Sequence, residues 1–257
     1  RKPSHLGRIA QMRALFLSDV HAGQGTPVCT SAFLALLDNV APALTHLYLL
    51  GDIFDAWLGD DDLRAPHMDI LSALKRVTAQ GVATGIVHGN HDFLLGAAFT
   101  EQTGVAVLPE VSDITLGHRT VTLCHGDELC TDDVEYQAFR RYARDPDNQQ
   151  RFLSQTLQAR AEEAMRLKMA SREAMQLKAD DIMDVNDGAV RQLISARGTD
   201  ILIHGHTHRP ADHKLSFDNR TAERRVLGDW YEQGQVLLWQ DDALVRLTTD
   251  ELGGALR

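Results

Sequence analysis

Cysteine is scarce. Cys29, Cys124 and Cys130 are the three in 257 residues, an odd number without a C-x-x-C pair. That count supplies neither a disulfide framework nor a thiolate zinc site, and a reducing cytosol suits it best. Long apolar runs are missing too: none approaches the roughly 18 residues of a membrane-crossing helix. Positive charge is in deficit, with 26 Lys and Arg against 36 Asp and Glu, a formal net charge of -10. A broad nucleic-acid-binding surface is therefore not expected. Residues 1–11, ahead of Met12, lack a signal-peptide apolar region and read as an extension the fold does not need. No repeat or low-complexity tract interrupts the chain.

What remains is a hydrophobic content of 44%, enough for one large α/β domain with a sub-domain inserted. The surplus carboxylates have a second meaning, because clustered they can hold divalent cations that offset their charge. Short apolar segments, Ala14–Leu17, Leu47–Leu50 and Thr84–Val87, alternate with helical spacing over Ser31–Val40 and Met68–Ala79. That order is βαβαβ and predicts a parallel sheet. Ser112–Leu123 reads as a hairpin about Gly117-His118, Ile201–Ile203 as a buried strand, and Val236–Leu247 as a hairpin about Asp241-Asp242. Thr131–Lys178 differs, with one Pro, no Gly and many strong helix formers. It predicts two or three helices with a turn near Asp145-Pro146-Asp147, inserted between strands either as a solvated cap or as a lid over the site.

Each apolar segment runs directly into potential metal ligands. Leu17 is followed by Ser18-Asp19-Val20-His21, and Leu50 by Gly51-Asp52-Ile53-Phe54-Asp55. Val87 leads into His88-Gly89-Asn90-His91-Asp92, Cys124 into His125-Gly126-Asp127, and Ile203 into His204-Gly205-His206-Thr207-His208. One D-x-H or G-D is an ordinary turn. Five such motifs at successive strand ends are not, because open α/β sheets gather ligands beyond the carboxyl ends of their strands. Carboxylate, imidazole and amide donors without thiolate favour manganese, iron or zinc. His88 and His204 fall outside the motif positions and read as structural.

The set D-x-H, G-D-x-x-D, G-N-H-D, H-G-D and G-H-T-H resembles the calcineurin-like metallophosphoesterase superfamily from Met12 to about Pro210. The resemblance implies a four-layer α/β/β/α sandwich carrying an inserted helical lid, with core residues 12–130 and 179–250 and lid residues 131–178. It implies one metal on Asp19, His21, Asp52 and His208, and a second on Asp52, Asn90, His125 and His206, with Asp52 bridging. A water activated between the two ions would attack phosphorus. His91, held by Asp55, would stabilise developing charge or protonate the leaving group.

A narrower resemblance covers nearly the whole chain. Residues 55–62, 127–140, 182–186 and 203–210, continuing through Val226-Leu227-Gly228, are similar to the UDP-2,3-diacylglucosamine diphosphatases of lipid A biosynthesis. This implies hydrolysis of a UDP-diacylglucosamine diphosphate with two manganese ions per chain. It also implies a lid holding the acyl chains, and peripheral contact with the cytoplasmic face of the inner membrane. Nucleic acid and an obligate protein partner are not expected. Substrate contacts are implied for Asn90, His91, Asp133, Tyr136, Ser171, Arg172, Lys178 and His206. Two departures stand out: His91 replaces the family's usual Arg, and Asp55 its usual Glu. Residues 152–169 are also less apolar than a lipid channel suggests. A phosphodiesterase acting on a soluble nucleotide is the alternative enzyme reading. A non-catalytic scaffold would require lost ligands, and none is missing.

Overall fold

The computed structural model describes residues 12–40, 43–176, 184–217 and 220–256, with the backbone alone over 172–176. In the first half, β1 (Ala14–Leu17), α1 (Pro27–Val40), β2 (His46–Leu49), α2 (His67–Ala79) and β3 (Ala83–Ile86) form the expected βαβαβ run. Next come α3 (Ala97–Thr103), β4 (Ala106–Val107) and the hairpin β5 (Ser112–Leu116) to β6 (Arg119–Leu123). The helices α4 (Val134–Ala143), α5 (Pro146–Leu153) and α6 (Leu157–Gln176) follow. The chain then runs through α7 (Asp187–Arg197), β7 (Ile201–His204), β8 (Ala211–Phe217) and β9 (Arg220–Val226). It ends on β10 (Gln235–Gln240), β11 (Ala243–Thr248) and α8 (Thr249–Ala255).

The strands form two sheets, ordered β11-β10-β1-β2-β3-β4 and β5-β6-β7-β9-β8. β1 to β4 are parallel, as are β6, β7 and β9, while the remaining pairs are antiparallel. The period of two along a strand builds the layers. On β1, Ala14 and Phe16 join Val121, Leu123, Ile201, Ile203, Leu237 and Trp239 in a core between the sheets. Leu15 and Leu17 face the other way, into a core shared with Phe33, Leu37, Ile70 and Leu74 of α1 and α2. On the far side, Leu202 packs with Val190 and Ile194 of α7. The four layers expected for this fold are therefore present, helix on sheet on sheet on helix.

Local chemistry explains the element ends. Asp241 and Asp242 both have positive φ, 52° and 58°, which a two-residue turn between twisted strands requires. Asp145 caps α5 by accepting from the N–H groups of Asp147 and Asn148, with Pro146 in the first turn, so the expected turn is a helix start. Helix α1 begins at Pro27, four residues before its apolar spacing becomes visible. The β8–β9 hairpin, α3, α7 and α8 were not read from the sequence; their exposed faces dilute the apolar signal.

The helical insert departs from one expectation. The helical spacing of Leu153, Leu157, Ala161, Ala164, Met165 and Met169 suggests one apolar stripe, and the structure splits it. Leu157, Ala161 and Ala164 are half-buried, whereas Leu153, Met165 and Met169 are exposed at 40%, 67% and 58%. The inward face of α6 instead carries buried Arg160 and half-buried Lys168, in phase with Leu157, Ala161 and Ala164. Lys178 and residues 1–11 lie outside the described residues, and so does the Arg172 side chain.

Candidate metal centre

The ends of β1, β2, β3, β6 and β7 open on one edge of the sandwich, and the motif residues meet there. Asp19, His21, Asp52, His206 and His208 all take positive φ, between 48° and 67°. Left-handed backbone at a non-glycine residue costs on the order of 1–3 kcal/mol and persists only where the surroundings impose it. Here the surroundings are hydrogen bonds. Asp19 N donates to Gly51 O at 3.1 Å, His21 N to Asp52 O at 2.9 Å, and Gly205 N to His125 O at 2.8 Å. The turns are also too tight for side chains. A Cβ on Gly89 would come within 2.1 Å of Asp52 Oδ1, and one on Gly205 within 2.2 Å of Asp19 Oδ2. Asp92, to which the sequence reading gave no role, is fully buried and ties two of these loops together. Its carboxylate accepts from the N–H groups of Ile53 and Gly89, each at 2.8 Å, and of Asp52 at 3.2 Å.

Two half-sets result. In one, His208 Nε2 lies 3.3 Å from Asp19 Oδ1 and 3.2 Å from His21 Nε2. In the other, Asn90 Oδ1 lies 3.0 Å from His125 Nε2 and 2.9 Å from His206 Nδ1. Asp52 sits between them, its Oδ2 3.6 Å from His125 Nε2 and 3.9 Å from the Nε2 atoms of both His21 and His91. Among the described residues three groups of donors each fall within 4.8 Å: Asp19 with His21 and His208, His21 with Asp52 and His91, and Asp19 with Asp52 and His125.

The electrostatics fit cation binding. Burial pushes the Asp52 carboxyl up, but the imidazoles of His125, His91 and His21 overcome it and hold it well below the usual carboxylate range. Burial lowers His125, yet Asp52, Asp19 and Asp127 outweigh it and raise its pKa to about 9. His206 is driven by burial and by His125 down to about 4. So many buried acids and imidazoles facing one another need shared cations, either protons or metal. Oxygen and nitrogen donors without sulfur suit a divalent ion of the manganese, iron or zinc type, so the residues present fit a metal centre.

His91 is brought to the centre, but not as expected. Its Nδ1 lies 2.7 Å from the main-chain oxygen of Asp55, an acceptor only, so Nδ1 carries the proton and Nε2 turns toward Asp52. The Asp55 carboxylate does not hold it. That group instead receives Lys168 Nζ of α6, at 2.6 and 2.8 Å. The spacing of G-D-x-x-D cannot distinguish a side-chain acceptor from the carbonyl of the same residue.

The expected substrate contacts divide. Asn90, His91 and His206 lie in the centre itself. Tyr136 is next to it, its ring 5.8 Å from that of His206 and its hydroxyl donating to Asp127 Oδ2 at 2.9 Å. Asp133 caps α4, accepting from Tyr136 N at 3.0 Å. Ser171 is exposed on α6. Asp127 anchors the insert: Arg140 Nε donates to it at 2.8 Å, while Arg140 and Arg144 also reach Glu110. A cleft between this cluster and the centre is lined by Asn90, Phe93, Tyr136, Phe139, Arg140 and Arg144.

Residues 12–210 match the family model for calcineurin-like phosphoesterases. Over 226 residues the chain is 44% identical to the UDP-2,3-diacylglucosamine hydrolase of Cellvibrio japonicus, covering 88% of this chain and 94% of that protein. The Chromohalobacter salexigens protein of that name is 44% identical over 237 residues, 92% and 96% of the two chains. The Escherichia coli O81 protein is 42% identical over 241 residues, 94% and 97%. The chain belongs to the calcineurin-like phosphoesterases and, within them, to the family of these hydrolases.

Proposed function

We propose that the chain hydrolyses the diphosphate of UDP-2,3-diacylglucosamine, releasing UMP and 2,3-diacylglucosamine 1-phosphate, in lipid A biosynthesis. For the substrate, the supporting observation is 44% identity over most of both chains to hydrolases named for it. For the chemistry, it is the pair of half-sets, built from carboxylate, imidazole and amide donors, that flank Asp52.

In this reading Asp19, His21, Asp52 and His208 hold one manganese ion, and Asp52, Asn90, His125 and His206 a second. Ions so placed supply Lewis-acid polarisation of a phosphoryl oxygen and acidify a water. The chain's own residues do the rest. Asp55 O fixes the His91 proton on Nδ1, so a second proton taken up at Nε2 faces the reacting phosphate. From there it neutralises developing charge or passes to the leaving phosphate. Tyr136, Asp133, Ser171, Arg172 and Lys178 contact the glucosamine phosphate.

Among the described residues no helix is long and apolar enough to cross a membrane. We assign the chain to the cytoplasmic face of the inner membrane, bound peripherally. Exposed Met165 and Met169 on α6, with exposed Arg166 beside them, support this placement, since an apolar patch next to a basic group suits a lipid surface. The test compares kcat/KM on the UDP-diacylglucosamine substrate with that on a chromogenic phosphodiester, with manganese and after chelation. Preference for the small diester would replace this reading with the soluble-phosphodiesterase one.

A further inference from the structure

Beyond the end of the matched family segment, the loop between β9 and β10 returns to the metal centre. Trp230 pins it. Its ring is 2% exposed and packs edge-on to Phe33 at 6.0 Å, and its carbonyl accepts from Cys29 Sγ at 3.3 Å. The residues on either side of that anchor both point back at imidazoles of the same half-set. Asp229 Oδ1 accepts from Tyr231 N at 3.1 Å, which fixes the carboxylate, and Oδ2 then lies 3.3 Å from His208 Nδ1. The Tyr231 ring lies flat on His21, with centroids 5.6 Å apart and planes 7° apart. The opposite edges of these two imidazoles face each other, His21 Nε2 to His208 Nε2, beside Asp19.

We infer that Asp229 and Tyr231 are positioning residues of the metal centre, setting the tautomer of His208 and the ring plane of His21. A carboxylate beside Nδ1 favours the proton on that nitrogen and leaves the Nε2 lone pair directed into the site. Outer partners of this kind orient ligand imidazoles and raise their basicity. The flat Tyr231 ring restricts His21 to the plane in which its Nε2 meets His208. Neither residue touches the reacting phosphate in this assignment. Its role is played entirely through the ligands, and it rests on the metal reading above.

The experiment titrates manganese into metal-stripped full-length protein by calorimetry. Asp229→Ala is expected to weaken one of the two binding events roughly 10–100-fold, the usual loss for an outer partner of a ligand histidine. Asp229→Asn, which keeps an acceptor oxygen, should recover most of that loss, and Tyr231→Leu should weaken the same event. Histidine ¹⁵N signals of the unsubstituted protein give a readout independent of any variant's folding: His208 should be the Nδ1-protonated tautomer at neutral pH. Unchanged affinity in Asp229→Ala, or the opposite tautomer, overturns the assignment. An unsubstituted protein that takes up no divalent ion would instead sink the metal reading itself.

Discussion

The strand-end edge and the helical insert are built on different principles. At the edge, Asp19, Asp52, Asp92 and His125 are at most 2% exposed, and the loops that carry them are fastened by main-chain hydrogen bonds. In the insert, α4 and α5 bury no residue. The insert docks through ionic pairs: Arg160 with Asp61 and the Leu58 carbonyl, Lys168 with Asp55, and Arg140 and Arg144 with Asp127 and Glu110. Apolar packing into the cores fixes geometry tightly, because a dense interior admits few arrangements. Of these pairs Lys168–Asp55 is half-exposed and contributes little, of the order of 0–1 kcal/mol, whereas Arg160 and Asp127 are buried charges that depend on their partners. The edge is thus held by main-chain hydrogen bonds and packing, and the insert by charged pairs.

The largest effect that would test this contrast is at the centre of the edge. Asp52→Ala removes the carboxylate common to both half-sets and should bring hydrolysis below detection while metal stoichiometry falls, measured by elemental analysis beside kcat/KM. A variant with normal turnover would remove the two-ion reading. Next is His91→Ala, expected to lower kcat by roughly 10²–10⁴-fold, the range for losing a proton donor or oxyanion partner. Metal content should stay near that of the parent, and a drop there would make His91 a ligand.

The third prediction concerns Glu128, in the turn joining the His125 motif to the insert. Burial first, and then Asp127, raise its carboxyl from 4.5 to about 7. The folded state therefore keeps a proton between about pH 4.5 and 7 that the unfolded chain releases. Stability from this group is full below pH 4.5 and falls as pH rises to about 7. Glu128→Gln should flatten that part of the curve in denaturant titrations at a series of pH values. An unaltered slope would mean the carboxyl is ionised in the fold. The smallest effect should come from the insert surface. Met165→Asp, at an exposed position, should shift stability by no more than about 0.5 kcal/mol. It should lower kcat/KM on the diacylated substrate but not on a chromogenic diester. Equal loss on both substrates would make the insert purely structural.

The edge was legible in the sequence because strands there are short apolar runs that end directly in their ligands. All seven expected ligand residues fall within the two half-sets around Asp52. What stayed hidden had no local signal. Asp229 and Tyr231 reach the centre from the loop that crosses from one sheet to the other, far along the chain. Lys168 looks like any solvated lysine until α6 is placed against Asp55. The stripe in the insert misled for a physical reason: hydrophobicity along α6 marks several faces, and ionic pairs rather than methionines chose the inward one. The role of Asp55 was misread at the level of atoms, since a carbonyl and a carboxylate of one residue share a sequence position.

Each half-set draws on both sheets. Asp19, His21, Asp52 and Asn90 extend from β1, β2 and β3, whereas His125, His206 and His208 extend from β6 and β7. The gap between the sheets is filled by Phe16, Val121, Ile203 and Leu237, all fully buried. Those side chains are therefore the spacer of a caliper whose jaws are the ligand loops. Thinning the spacer, well away from any donor atom, would change how far apart the jaws stand. In this architecture the fit of each ligand set is a property of hydrophobic volume as much as of ligand chemistry.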